Sequence, residues 1–167
     1  MGDRTATEVI AECYRRSSGI SLAAKHFEQE VWLSVVDKYA VGLKAERVLA
    51  ADTDSLAERA TRDNAGLNGL TDQQLSVQQG SVEVLAAMHA GQPSELLLCN
   101  ILAPVIEALA PQFTSVLALG GRGLLSGLLV EQAPRLTSVL EGLGWSVTEL
   151  GSQGRWGLLE IQRSKTA

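Results

Sequence analysis

From Arg47 onward the apolar positions alternate between short runs and helically spaced stripes. Residues 47–51 read as a buried strand closed by Asp52-Thr53-Asp54. Residues 55–67 carry helical spacing, with Asp54 or Ser55 as cap and Asn68-Gly69 as stop. A second short strand covers 75–79 and runs into Gly80-Ser81; residues 82–90 follow as a helix. After the loop Gly91-Gln92-Pro93-Ser94 comes a strand over 95–99, an apolar run that stops at Asn100. A helix with Pro104 near its start is predicted to about residue 117. Gly120-Gly121-Arg122-Gly123 reads as a tight turn into a strand over 124–129. Residues 131–143 form the last predicted helix, with Pro134 in its first turn and Gly144 as its stop. Two strands, 145–150 and 156–161, are joined by a short glycine-containing connection, the mark of a hairpin. Strands alternating with helices predict a mostly parallel sheet with helices on both faces, closed by an antiparallel hairpin at one edge. The tail from about Arg163 is expected to be loose.

Residues 1–43 read differently, as an atypical and mainly helical segment ahead of a domain spanning 44–167. The stretch from Thr7 to Tyr14 has helical propensity, and Ser17-Ser18-Gly19 is a break. From Ile20, the positions Leu22, Ala23, Phe27, Val31, Val35 and Tyr39 recur at helical spacing. Residues 31–36 also read as a strand, being β-branched and aromatic, and periodicity leaves both readings open.

Composition narrows the class. The 167 residues are 46% apolar and 20% charged, enough for a real core. A net charge of −5 argues against a nucleic-acid surface driven by bulk electrostatics. No apolar run is long enough to span a bilayer, and no secretory signal is read at the start. Cys13 and Cys99 give neither a disulfide framework nor metal spacing, which fits a cytoplasmic protein. His26 and His89 have no partner at metal or triad spacing, so no metal site is expected.

Three side chains at strand ends are candidates for chemistry. In open α/β sheets ligands lie beyond the carboxyl ends of the strands. An acid such as Asp52 there accepts hydrogen bonds from the ribose of a nucleoside cofactor, or else Asp52 or Asp54 caps the next helix. One of the pair can cap while the other binds. Ser81 follows the next strand, either near a cofactor's base or in a plain loop. Asn100 offers both a carbonyl acceptor and an amide donor, suited to orienting an amine or carboxylate, or to capping the helix that holds Pro104. Ser126-Gly127 could let backbone approach a ligand, and Trp156 reads as core.

Residues 44–163 resemble the catalytic domain of the ribosomal protein L11 methyltransferases, class I enzymes with a Rossmann-like sheet. The likeness rests on Arg47 to Asp54, on Ala60 to Ala65 with Asn68-Gly69, and on Cys99 to Ala103. It continues in Gly120 to Leu129 and in Gly142-Leu143-Gly144-Trp145. The resemblance implies S-adenosylmethionine as cofactor, Asp52 on its ribose, Ser81 near its adenine, and Asn100 where methyl group and acceptor amine meet. It also implies ribosomal protein L11 as substrate. The family's glycine-rich DxGxGSG loop and its preceding substrate-binding domain are not read in this chain. Asp37 to Gly42 holds one glycine, and Ser17 to Ala24 echoes only the end of that loop. The alternative is therefore a truncated or degenerate methyltransferase-fold domain without catalysis, acting as a binding module or a non-functional fragment. A dehydrogenase is disfavoured, because the GxGxxG fingerprint is absent.

Overall fold

The structure is a computed structural model that describes residues 47–163 except Asn68. The helices and strand expected before Arg47, together with Cys13, His26 and both candidate cofactor loops, lie outside the described residues. So does the chain beyond Arg163. The chain forms two compact units that divide at Leu85/Ala86.

In the first unit, strand β1 (Val48–Asp52) and strand β2 (Leu75–Gln79) form a two-stranded parallel sheet. Helix α1 (Ser55–Leu67) connects them. Helix α2 (Val82–His89) begins three residues after β2. These four elements fall where the hydrophobic pattern put them, to within a residue. Leu75 and Val77 alternate inward from β2 and are buried with Ala65 of α1 and Val82 of α2. Beyond α1, the N–H groups of Gly69 and Leu70 return to the carbonyls of Gly66 and Ala65, so helix carbonyls are satisfied by a Schellman turn. Arg62 on α1 donates to Glu58 Oε1 at 2.6 Å and to the Val77 carbonyl at 3.0 Å, tying helix to strand. The carboxylate of Glu58 raises the pKa of that guanidinium.

The second unit holds a four-stranded sheet in the order β3-β4-β6-β5. Strand β3 (Ser94–Asn100) is parallel to β4 (Leu117–Leu129). Strands β5 (Trp145–Gln153) and β6 (Trp156–Arg163) make the expected hairpin, and β6 also lies antiparallel to β4. The described strands therefore make two parallel and two antiparallel pairings, in two sheets. Strand β4 is central, and consecutive Leu124 and Leu125 are both fully buried, as a strand covered on both faces requires. Around them pack Ile106 from helix α3 (Ala103–Leu109), Leu136 and Leu140 from helix α4 (Ala133–Gly142), and Leu128, Leu159 and Ile161 from the sheet. The bidentate pair of Arg135 with Glu107, at 3.0 Å through two nitrogens, links α4 to α3.

Three expectations are corrected here. The helix predicted to residue 117 stops at Leu109, and a 3-10 helix, Ala110–Ser115, takes over. Pro111 has no N–H to donate to the carbonyl four residues back, so the α-helix cannot continue through it. Gly120 to Gly123 do not make a turn that opens a strand. They lie inside β4, which starts at Leu117, and the register against β3 jumps between Ser94–Leu117 and Leu96–Arg122. Finally, Asn100 does not cap α3. The cap residue is Leu102, in extended conformation and without a side-chain cap bond.

Candidate functional site

In the first unit, parallel pairing sets Asp52 beside Gln79, so both strands end on one side. The Gly80 N–H donates to the Asp52 carbonyl at 2.9 Å and closes the pair. Of the two aspartates, the hydrogen bonds show which one caps the helix. Asp54 Oδ1 accepts the N–H of Leu56 at 2.8 Å and caps α1. Asp52 Oδ1 accepts the N–H of Asp54 at 2.8 Å, which fixes its exposed carboxylate at the strand end. Gln79 donates from Nε2 to the Thr53 carbonyl at 3.1 Å and holds the loop between them.

Ser81 stands on the same strand-end side, one residue after Gly80. A Cβ on Gly80, whose φ is +148°, would come 2.2 Å from Val84 Cγ2, so the turn from β2 into α2 admits only glycine. The Ser81 N–H donates to Glu83 Oε1 at 3.0 Å, and its carbonyl accepts from Val84 and Leu85. The backbone of Ser81 is thus committed to starting the helix. Its half-buried hydroxyl makes no hydrogen bond among the described residues.

In the second unit, Asn100 is exposed at the carboxyl end of β3 and lies opposite Ser126 of β4. Ser126 Oγ donates to Asn100 Oδ1 at 3.0 Å. The Ile101 N–H donates to the Ser126 carbonyl at 3.2 Å, so the ladder runs one residue past the strand end. The β4–β6 register slips between Leu125 and Leu128, where Ser126-Gly127 opposes Leu158 alone as a β-bulge. Gly127 has φ +80°, and a Cβ there would meet the Ile101 carbonyl oxygen at 2.6 Å and Asn100 Oδ1 at 2.9 Å. What presses on Gly127 is therefore the Asn100-Ile101 chain itself. Neither Gln79 nor the Ser126–Asn100 contact was found by sequence reasoning. Their only signal is register, which links residues 27 and 26 apart.

Cys99, next to Asn100, is removed from the chemistry. Burial pushes its thiol pKa up to about 12, which leaves roughly one thiolate in a hundred thousand at pH 7. Among the described residues, no helix is long and apolar enough to cross a membrane.

Parallel strands joined by helices, with an acid and an amide at their carboxyl ends, define a Rossmann-like α/β protein. The solved structure of ribosomal protein L11 methylase from Lactobacillus delbrueckii subsp. bulgaricus has this fold. It superposes with a TM-score of 0.63 at 24% identity, covering 98% of this chain and 81% of that one. The profile of the family "Ribosomal protein L11 methyltransferase (PrmA)" matches residues 33–164, and the chain belongs to that family. The relative from Parasynechococcus marenigrum (strain WH8102), named ribosomal protein L11 methyltransferase, is 64% identical over 124 residues, or 74% of this chain and 43% of its own length. One from Prochlorococcus marinus (strain MIT 9313), of the same name, is 58% identical over 162 residues, covering 97% of this chain and 53% of its own length. The chain thus spans about half the length of these relatives. The likeness also reaches further toward the N-terminus than Lys44, where the motifs read from the residues begin.

Proposed function

We propose that the chain binds S-adenosylmethionine and serves methyl transfer to amino groups of ribosomal protein L11, in the cytoplasm. The observation that carries this reading is the exposed Asp52 carboxylate at the end of β1 in a member of this methyltransferase family. A carboxylate offers about four acceptor positions, and the Asp54 N–H takes one of them. Acceptor capacity suited to the two hydroxyls of a ribose remains. Ser81, with a hydroxyl outside the helix-starting bonds, would contact the adenine. In the other unit, Asn100 would orient the acceptor amine through its amide. When bound, S-adenosylmethionine would supply an electrophilic methyl group to a neutral amine by in-line displacement, the C–S bond breaking to release S-adenosylhomocysteine and the methylated amine losing its proton to solvent. The residues named here bind and orient, and such positioning can by itself supply much of the rate.

Calorimetric titration of the whole chain with S-adenosylmethionine tests the reading. Binding is expected, and Asp52→Asn should weaken it about 10- to 100-fold, the worth of hydrogen bonds to a charged group. Absence of heat at millimolar cofactor would overturn the proposal and leave the non-catalytic binding module in its place.

A further inference from the structure

The bulge at Ser126-Gly127 lies directly beside the pairing of Ser126 with Asn100. It interrupts the ladder between the central strand β4 and β6, next to fully buried Leu125 and Leu128. It also holds Gly127 in the left-handed region, against the Ile101 carbonyl. The hydrogen bond beside it, from Ser126 to Asn100, is exposed, and exposed bonds of this kind add little to folding. The register of β3 against β4, uninterrupted from Leu96 to Asn100, sets Ser126 opposite Asn100, so its hydroxyl reaches the amide oxygen while the Ser126 carbonyl takes the next backbone N–H. An amide held by its oxygen has one of its two flipped orientations selected, and its nitrogen is thereby given a fixed side.

We propose that Ser126 is a positioning residue that fixes the orientation of the Asn100 side-chain amide. The inference rests on the reading of Asn100 as the group that orients the acceptor amine. Bulges recur beside active sites, and this one opens the β4–β6 ladder directly beside the Ser126–Asn100 pair. The bulge glycine belongs to the same device, since any larger residue would push on the amide oxygen from 2.9 Å.

The test uses the full chain and three variants, Ser126→Ala, Ser126→Cys and Ser126→Thr. The cysteine is nearly isosteric but a weak donor, and the threonine keeps the hydroxyl. The first readout is the 15N relaxation order parameter of the Asn100 side-chain amide, which needs no activity. It should fall in the alanine and cysteine variants and return with threonine. The second is methyl transfer from S-adenosylmethionine to purified ribosomal protein L11. Here kcat should drop about five-fold in the alanine variant, the worth of one neutral hydrogen bond, with KM for the cofactor unchanged. In an Asn100→Ala background Ser126→Ala should cost nothing further, because the two act as a unit.

An order parameter that stays put in both the alanine and cysteine variants would overturn the inference. So would a loss of rate that is the same with and without Asn100. A wild-type chain that mobilises its amide on Ser126→Ala but methylates nothing would support the positioning role while refuting the methyltransferase reading. An active wild type whose rate and amide ignore all three substitutions would do the reverse.

Discussion

Replacing Gly127 by alanine separates two costs that are usually confounded. The first is conformational. An L-residue forced to a φ near +80° loses roughly 1–2 kcal/mol relative to glycine. The second is steric, because the new Cβ would sit 2.6 Å from the Ile101 carbonyl oxygen and 2.9 Å from its carbon. Both are backbone atoms and cannot rotate away, so the bulge or the end of β3 must shift. A shift of that kind in a packed sheet costs typically 1–3 kcal/mol. Gly144, after helix α4, supplies the control within the same unit. Its φ is +88°, and a Cβ there would meet nothing within 4 Å. Gly144→Ala should therefore destabilise by about 1 kcal/mol, and Gly127→Ala by about 3 kcal/mol. Urea unfolding followed by tryptophan fluorescence reads both, since Trp145 and Trp156 lie in this unit. If the two variants fall within 0.5 kcal/mol of each other, on the order of the error in such comparisons, the close approach to Ile101 is not what selects glycine.

Two further outcomes follow from the same structure. The Cys99 thiol, held protonated by burial up to about pH 12, ionises near pH 8.5 once the chain unfolds. Its contribution to stability is therefore complete below about pH 8.5 and is lost as pH rises toward 12, by at most about 1.4 kcal/mol per pH unit. Cys99→Ala should flatten that part of the stability curve relative to wild type, and an unchanged slope between pH 9 and 11 would count against the thiol. Asp54→Ala removes the cap that holds the Leu56 N–H and should cost about 1 kcal/mol, with asparagine restoring most of it. Circular dichroism during thermal unfolding distinguishes the two variants.

Much of the fold was legible because strand and helix periods leave different traces. Helix α1 and strand β2 occupy the residues that the apolar spacing assigned, since both are short and bounded by capping or glycine signals. The strand-end positions of Asp52 and Asn100 were legible for the same reason. What failed was local chemistry overruled by pairing. Gly120-Gly121-Arg122-Gly123 carries strong turn residues, yet β3 and β4 accommodate them as a slip in register. Asn100 carries a good capping side chain, yet the cap falls two residues later at Leu102, and the amide is engaged by a strand partner. Register is set by whole sheets, so no window of neighbouring residues contains it. The aspartate pair shows the intermediate case, in which the sequence left the cap open between two residues and only the hydrogen bonds settled it on Asp54.

The strand order β3-β4-β6-β5 has a consequence for how the polypeptide emerges during synthesis. Strand β6 is made after β5 but sits between β4 and β5. A nascent chain that has reached only Gln153 holds β5 with no neighbour to pair with, and β4 with one side of its ladder unmet. Translation adds about 5–20 residues each second, so this half-built sheet persists until residues 156–163 have left the ribosome. Premature termination after β4 but before Trp156 would leave Leu124, Leu125 and Leu128 without the strand that covers their edge. Such truncated products should be bound by chaperones or degraded rather than accumulate as partly folded protein.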